Sequence, residues 1–94
     1  MSVELKTRIE RTNHCASAPI DNEIVLLNLS QDHYVALDEI GRRIWELLEA
    51  PLTVKELCDR LSGEFEESPE KIANDLRPFL DELISEGLVC LLNE

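Results

Sequence analysis

Val3, Leu5, Thr7 and Ile9 alternate with Glu4, Lys6, Arg8 and Glu10. A period of two predicts a strand with one buried face. Residues from Asn13 to Asn22 include Ser, Pro and Asn and read as a loop. Glu23 to Leu29 is nearly all apolar, which suits a strand covered on both faces. Ser30, Gln31 and Asp32 form a turn, and His33 to Leu37 is predicted as a third strand.

The period then becomes helical. Asp38 has the short acceptor side chain of an N-cap. Ile40, Ile44, Leu47 and Leu48 follow on one face. Gly41 lowers helix propensity but permits close packing, and Pro51 ends the element. Thr53-Val54-Lys55-Glu56 is a capping box, with Leu52 and Leu57 placed as a hydrophobic staple. Val54, Leu57, Cys58 and Leu61 form the apolar stripe of a second helix, predicted to stop at Gly63. Ser68-Pro69-Glu70 opens a third helix with proline at its first position. Its inward positions are Ile72, Leu76, Phe79, Leu80, Leu83 and Ile84, and Gly87 is the expected stop. Pro78 lies inside this helix, which predicts one lost backbone hydrogen bond and a kink. Leu88 to Leu92 returns as a short strand. The expected fold is α+β and winged helix-turn-helix-like: three N-terminal strands, three helices and a short C-terminal strand.

A chain of 94 residues makes one domain, residues 1–94, with an adequate core and little left for a deep enzyme cleft. Its formal net charge is −11. Counterion release from phosphates requires Lys and Arg, so this field argues against nucleic acid. A basic partner, or solubility, suits it better. The would-be recognition helix, Pro69 to Glu86, carries Lys71 and Arg77 against Glu70, Asp75, Asp81, Glu82 and Glu86. That helix would be repelled by DNA, which weakens the reading as a winged-helix regulator. The longest apolar run, Leu88 to Leu92, is far too short for a membrane span. An odd number of cysteines (Cys15, Cys58 and Cys90) and no signal peptide point to the reducing cytoplasm.

Candidate chemistry is sparse. His14 and Cys15 are adjacent, while His33, Cys58 and Cys90 lie far apart, so paired metal ligands are missing. Cys58 and Cys90 fit as small core residues. Cys15 and His33 would be a nucleophile and base without an orienting group. Three glycines form no phosphate loop. The expectation is no catalytic residue, no metal and no organic cofactor.

The third strand offers more. An unpaired strand edge accepts an extended peptide through main-chain hydrogen bonds. Tyr34 and Ala36 point one way, Val35 and Leu37 the other. One pair packs inward and the other helps line a groove; the alternation does not say which.

The segment from Glu23 to Leu92 resembles the PqqD-like family, also called RiPP recognition elements. The resemblance is carried by His33-Tyr34-Val35-Ala36-Leu37-Asp38, Gly41, Ile44-Trp45-Glu46-Leu47-Leu48 and Thr53-Val54-Lys55-Glu56-Leu57. It continues through Asp75-Leu76-Arg77-Pro78-Phe79-Leu80-Asp81-Glu82-Leu83 and Gly87-Leu88-Val89. It implies a non-enzymatic protein that binds the leader region of a ribosomally made precursor peptide. The leader would add as a further strand beside the third strand, against the third helix. Carried over, the groove residues are Tyr34, Val35, Ala36 and Leu37, faced by Asp75, Leu76, Phe79 and Glu82. The acidic helix face suits a leader with Lys or Arg. The chain most resembles the stand-alone proteins of lasso peptide pathways, whose partner is a leader peptidase. The alternative in the family is pyrroloquinoline quinone biosynthesis, with a radical SAM enzyme as partner.

Overall fold

The computed structural model describes residues 4–92. Four strands precede the first helix: β1 (Arg8–Arg11), β2 (Cys15–Ile20), β3 (Glu23–Asn28) and β4 (His33–Leu37). Helix α1 (Glu39–Leu47) follows, then the two-residue β5 (Leu52–Thr53), α2 (Val54–Phe65), α3 (Pro69–Ser85) and β6 (Val89–Leu92). The α+β class, with strands in the N-terminal region, three helices and a C-terminal strand, is as the sequence predicts; the fourth N-terminal strand and β5 between α1 and α2 are additional.

The strands make two separate antiparallel sheets, ordered β5-β1-β6 and β2-β3-β4. In the first, β1 pairs along its whole length with β6, Arg8 facing Leu92 and Arg11 facing Val89. The expected first strand is shorter than its alternation suggests. Residues 5–6 turn, and Thr7 N–H donates to the Glu4 carbonyl at 3.0 Å. Val3 lies outside the described residues.

The stretch read as a loop is β2. Its Ser-Pro composition is outweighed by six consecutive pairings with β3, from Cys15–Asn28 to Ile20–Glu23. Pro19 is tolerated for a geometric reason. Leu29 N–H donates to the His14 carbonyl opposite it at 2.9 Å. Bonded positions alternate along an antiparallel pair, so Ala16, Ala18 and Ile20 bond β3 while the Pro19 nitrogen faces the open edge. β3 is covered on one face, not both: Ile24, Leu26 and Asn28 are buried, while Val25 and Leu27 are half-buried.

Each helix starts where the sequence places its cap. Asp38 Oδ1 accepts from Gly41 N at 2.8 Å, and Ser68 Oγ accepts from Lys71 N at 3.2 Å. Thr53 and Glu56 bond each other's backbone N–H reciprocally, at 3.1 and 2.9 Å. Helix α2 continues past Gly63 to Phe65 and ends on Glu66 in the left-handed region, φ 54°. The extra residues are held by contacts: Glu64 receives a two-pronged bond from Arg43, at 2.7 and 2.9 Å. Helix α3 runs through Pro78, which is exposed, so the missing N–H costs one hydrogen bond without ending the element.

The helices and both sheets share one core, in which Ile9, Leu26, Leu48, Leu57, Leu80 and Leu88 are fully enclosed. Arg11 ties β1 to α1: its Nε donates to the Trp45 carbonyl at 3.0 Å and its guanidinium stacks 4.5 Å from the indole centroid. Burial lowers the pKa of this guanidinium from its ordinary value. Among the described residues no helix is long and apolar enough to cross a membrane.

Candidate functional site

The site begins with a strand edge. Among the described residues β4 is the outer strand of its sheet and pairs with β3 alone. The alternation fixed by the Leu29–His14 bond turns the N–H and C=O groups of Val35 and Leu37 toward β3. Those of Tyr34 and Ala36 face outward. Two residues of β4 therefore offer main-chain donors and acceptors on a free edge.

Beside this edge lies a cleft of about 640 Å³. Val35, Ala36 and Leu37 form one wall and Asp75, Leu76, Phe79 and Glu82 of α3 the other, so seven of the eight expected residues meet there. Val35 and Leu37 are the inward pair: they sit opposite Leu26 and Ile24, whose side chains are buried. Tyr34 is the exception. Its side chain is 71% exposed, does not line the cleft and stands on the other face of the sheet. Only its main chain serves the edge.

The cleft is longer than strand and helix alone would make it. Ile40 and Ile44 of α1, Leu61 and Phe65 of α2, and Ile72 of α3 extend an apolar floor beyond the end of β4. Ile40, expected inside the core, is 53% exposed there. Its helical spacing shows only which face it shares with Ile44, and that face opens into the cleft at its first turn. The contribution of α2 has no signal in the sequence, since it depends on where the helix ends. Gly41 shapes the floor. A Cβ there would lie 3.0 Å from Leu37 Cβ and 3.3 Å from Phe79 Cζ, so its absence lets α1 approach β4 and α3.

The rim is acidic. Asp38, Glu67, Asp75 and Glu82 line the cleft against Lys71. Lys71 is held between Glu67 (3.9 Å) and Asp75 (3.6 Å), both one turn away on the helix side. The Asp38 carboxylate is engaged as the α1 cap. Asp75 and Glu82 remain turned to solvent along the α3 wall.

Among the described residues no three His, Cys, Asp or Glu side chains gather as metal ligands. Cys58 is buried in the core, and burial pushes its thiol pKa up, the opposite of an activated nucleophile. What the arrangement can do is bind: an apolar trough with an open strand edge and an acidic rim accommodates an extended peptide by strand addition.

That geometry defines a class of small α+β domain built around a peptide-accepting edge. The chain belongs to the PqqD family: residues 23–89 match the family described as coenzyme PQQ synthesis protein D. Among solved structures it is similar to TbiB1 in complex with the TbiA(beta) leader peptide. The two are 36% identical with a TM-score of 0.78, over 85% of this chain and 93% of that one. No curated protein matches. The resemblance read from the His33–Asp38 and Asp75–Val89 segments is thereby established.

Proposed function

We propose that this chain is a non-catalytic recognition element for a precursor peptide. It binds the leader in extended form along β4 and delivers the precursor to a maturation enzyme. The observation that carries this reading is the outward main chain of Tyr34 and Ala36 beside an apolar cleft. The likeness to TbiB1, whose structure contains a leader peptide, supports it. Recognition is divided between the two parts. Backbone bonds on the β4 edge hold any extended segment, each worth about 0.5–1.5 kcal/mol net. Selectivity comes from the apolar floor and from Asp75 and Glu82, which favour Lys or Arg in the leader. Delivery works by tethering, since a bound leader raises the precursor's effective concentration at the enzyme.

The enzyme on this reading is the leader peptidase of a lasso peptide pathway. The family's description, coenzyme PQQ synthesis protein D, supports a second reading in quinone cofactor biosynthesis; on that reading the partner is a radical SAM enzyme. Fluorescence polarisation with labelled leaders from short open reading frames near the gene tests the proposal. Micromolar or tighter binding to one leader, lost on scrambling, is expected and would identify the pathway. A folded protein that binds none of them would remove the recognition role.

A further inference from the structure

Among the described residues, Lys71 is the one Lys or Arg that lines the cleft. It stands in the first turn of α3, where the helix dipole disfavours a cation. Its Nζ lies between two carboxylates, 3.9 Å from Glu67 and 3.6 Å from Asp75. Both distances exceed those of a hydrogen bond, so the ammonium is held by charge alone. A second Lys–Asp pair shows what the same residues do at the same spacing. On α2, Lys55 Nζ donates to Asp59 Oδ2 at 2.9 Å. Lys55 is committed to its aspartate, whereas Lys71 is shared.

The two carboxylates of the α3 wall are therefore unequal. Asp75 has a cation beside it in the free protein. Glu82 pairs with no Lys or Arg among the described residues. It lies about three turns beyond Lys71, roughly 16 Å along the helix. That is further than the Debye length of about 10 Å at 0.1 M salt, so Lys71 acts on Asp75 and not on Glu82.

We infer that Lys71 stands in for a cation of the leader: it occupies the Asp75 subsite while the cleft is empty, and a leader Lys or Arg displaces it onto Glu67. This rests on the recognition role proposed above and adds a residue that sets its specificity. The exchange leaves no charge unpaired, because the displaced ammonium keeps one of its two carboxylates. All three side chains are exposed, and pairs of that kind are weak enough to trade partners. An incoming Arg can also grip both carboxylate oxygens in its planar fork.

Selectivity follows from the exchange. A basic leader gains only the difference between its own pair with Asp75 and the pair it breaks. A leader with a neutral side chain at this position leaves Lys71 where it is, and meets a carboxylate already balanced. Lys71 thus moderates the preference for basic leaders that Asp75 alone would impose.

The test uses the full chain and a fluorescein-labelled leader that binds it, together with the same leader carrying Gln for each Lys and Arg. Affinities are read by fluorescence polarisation at low and at high salt. Lys71→Gln should raise affinity for the basic leader about two- to fivefold at low salt, less at high salt, and leave the Gln leader unchanged. Lys71→Arg, which holds Asp75 more firmly, should lower affinity for the basic leader. In an Asp75→Asn background, Lys71→Gln should have no effect. Lys55→Gln removes the same charge away from the cleft and should change nothing. All these positions are exposed. An equal gain from Lys55→Gln, or a gain that survives Asp75→Asn, overturns the inference in favour of net charge. Weaker binding by Lys71→Gln overturns it by placing Lys71 in contact with the leader, and so does a bound leader with no Lys or Arg. A wild-type protein that binds no leader removes the recognition role itself and this inference with it.

Discussion

Asn28 and Gly87 meet where the β3–β4 turn packs on the end of α3. Asn28 is 1% exposed, and its side chain is engaged at both ends: Nδ2 donates to the Glu86 carbonyl at 2.7 Å, and Oδ1 accepts from Ser30 and Gln31 N–H at 2.9 and 3.1 Å. It thereby ties the β3–β4 turn to the end of α3. Asn28→Ala strands three backbone groups and should cost about 1–3 kcal/mol in denaturant unfolding. Gly87 has φ +75°, and a Cβ there would meet Asn28 Nδ2 at 2.9 Å. Gly87→Ala should therefore destabilise by more than about 1 kcal/mol, measured the same way. In the cleft, Val35→Asp puts a charge on the inward wall at a half-buried position and should abolish leader binding while the fold persists. Leu37 is a poorer probe, because at 4% exposure it belongs to the core. Asp75→Lys should weaken a basic leader, with a difference that shrinks as salt is raised. A salt-independent loss would remove the electrostatic part of the recognition argument. Residue types alone did not separate wall from surface in this region: the alternation paired Tyr34 with Ala36, but only burial of Ile24 and Leu26 reveals which pair looks inward.

Among the elements, those with local signals were legible. All three helix starts follow from Asp38, Thr53 and Ser68, because a cap is a contact between residues three apart. Thr53→Ala should accordingly lower stability by about 1 kcal/mol, seen as a reduced denaturation midpoint. Elements set by distant partners were not legible. β2 exists because β3 lies beside it, and α2 outlasts Gly63 because Arg43 and the cleft hold its last turn. The trough was half legible for the same reason: β4 and α3 carry sequence signatures, whereas Ile40 and Phe65 join it through the packing of three helices. Pro78 is a local signal that tertiary structure overrides. Pro78→Ala restores a backbone donor within α3 and should stabilise the protein by about 1–3 kcal/mol, raising its melting temperature.

Across the molecule, a net charge of −11 sets both partner choice and acid sensitivity. The Arg43 guanidinium holds the Glu64 carboxyl below its ordinary range, mainly through their hydrogen bond. A carboxyl whose pKa is lowered by folding stabilises the protein above its unfolded pKa. That contribution is lost as pH falls through the folded value. The pair is partly exposed, so solvent screening keeps its worth to about 0.2–1 kcal/mol. Glu64→Gln should flatten the fall in stability below about pH 4.3, where Glu ordinarily titrates, with little change at neutral pH.

The pairing of β1 with β6 has a consequence for how the chain is wired. Arg8 faces Leu92, so the polypeptide runs out from one seam and returns to it, like a loop of thread knotted where it began. A short linker across that seam, with new ends opened at the exposed Glu49–Ala50 corner, gives a circular permutant that keeps every strand pairing and leaves the β4 edge clear.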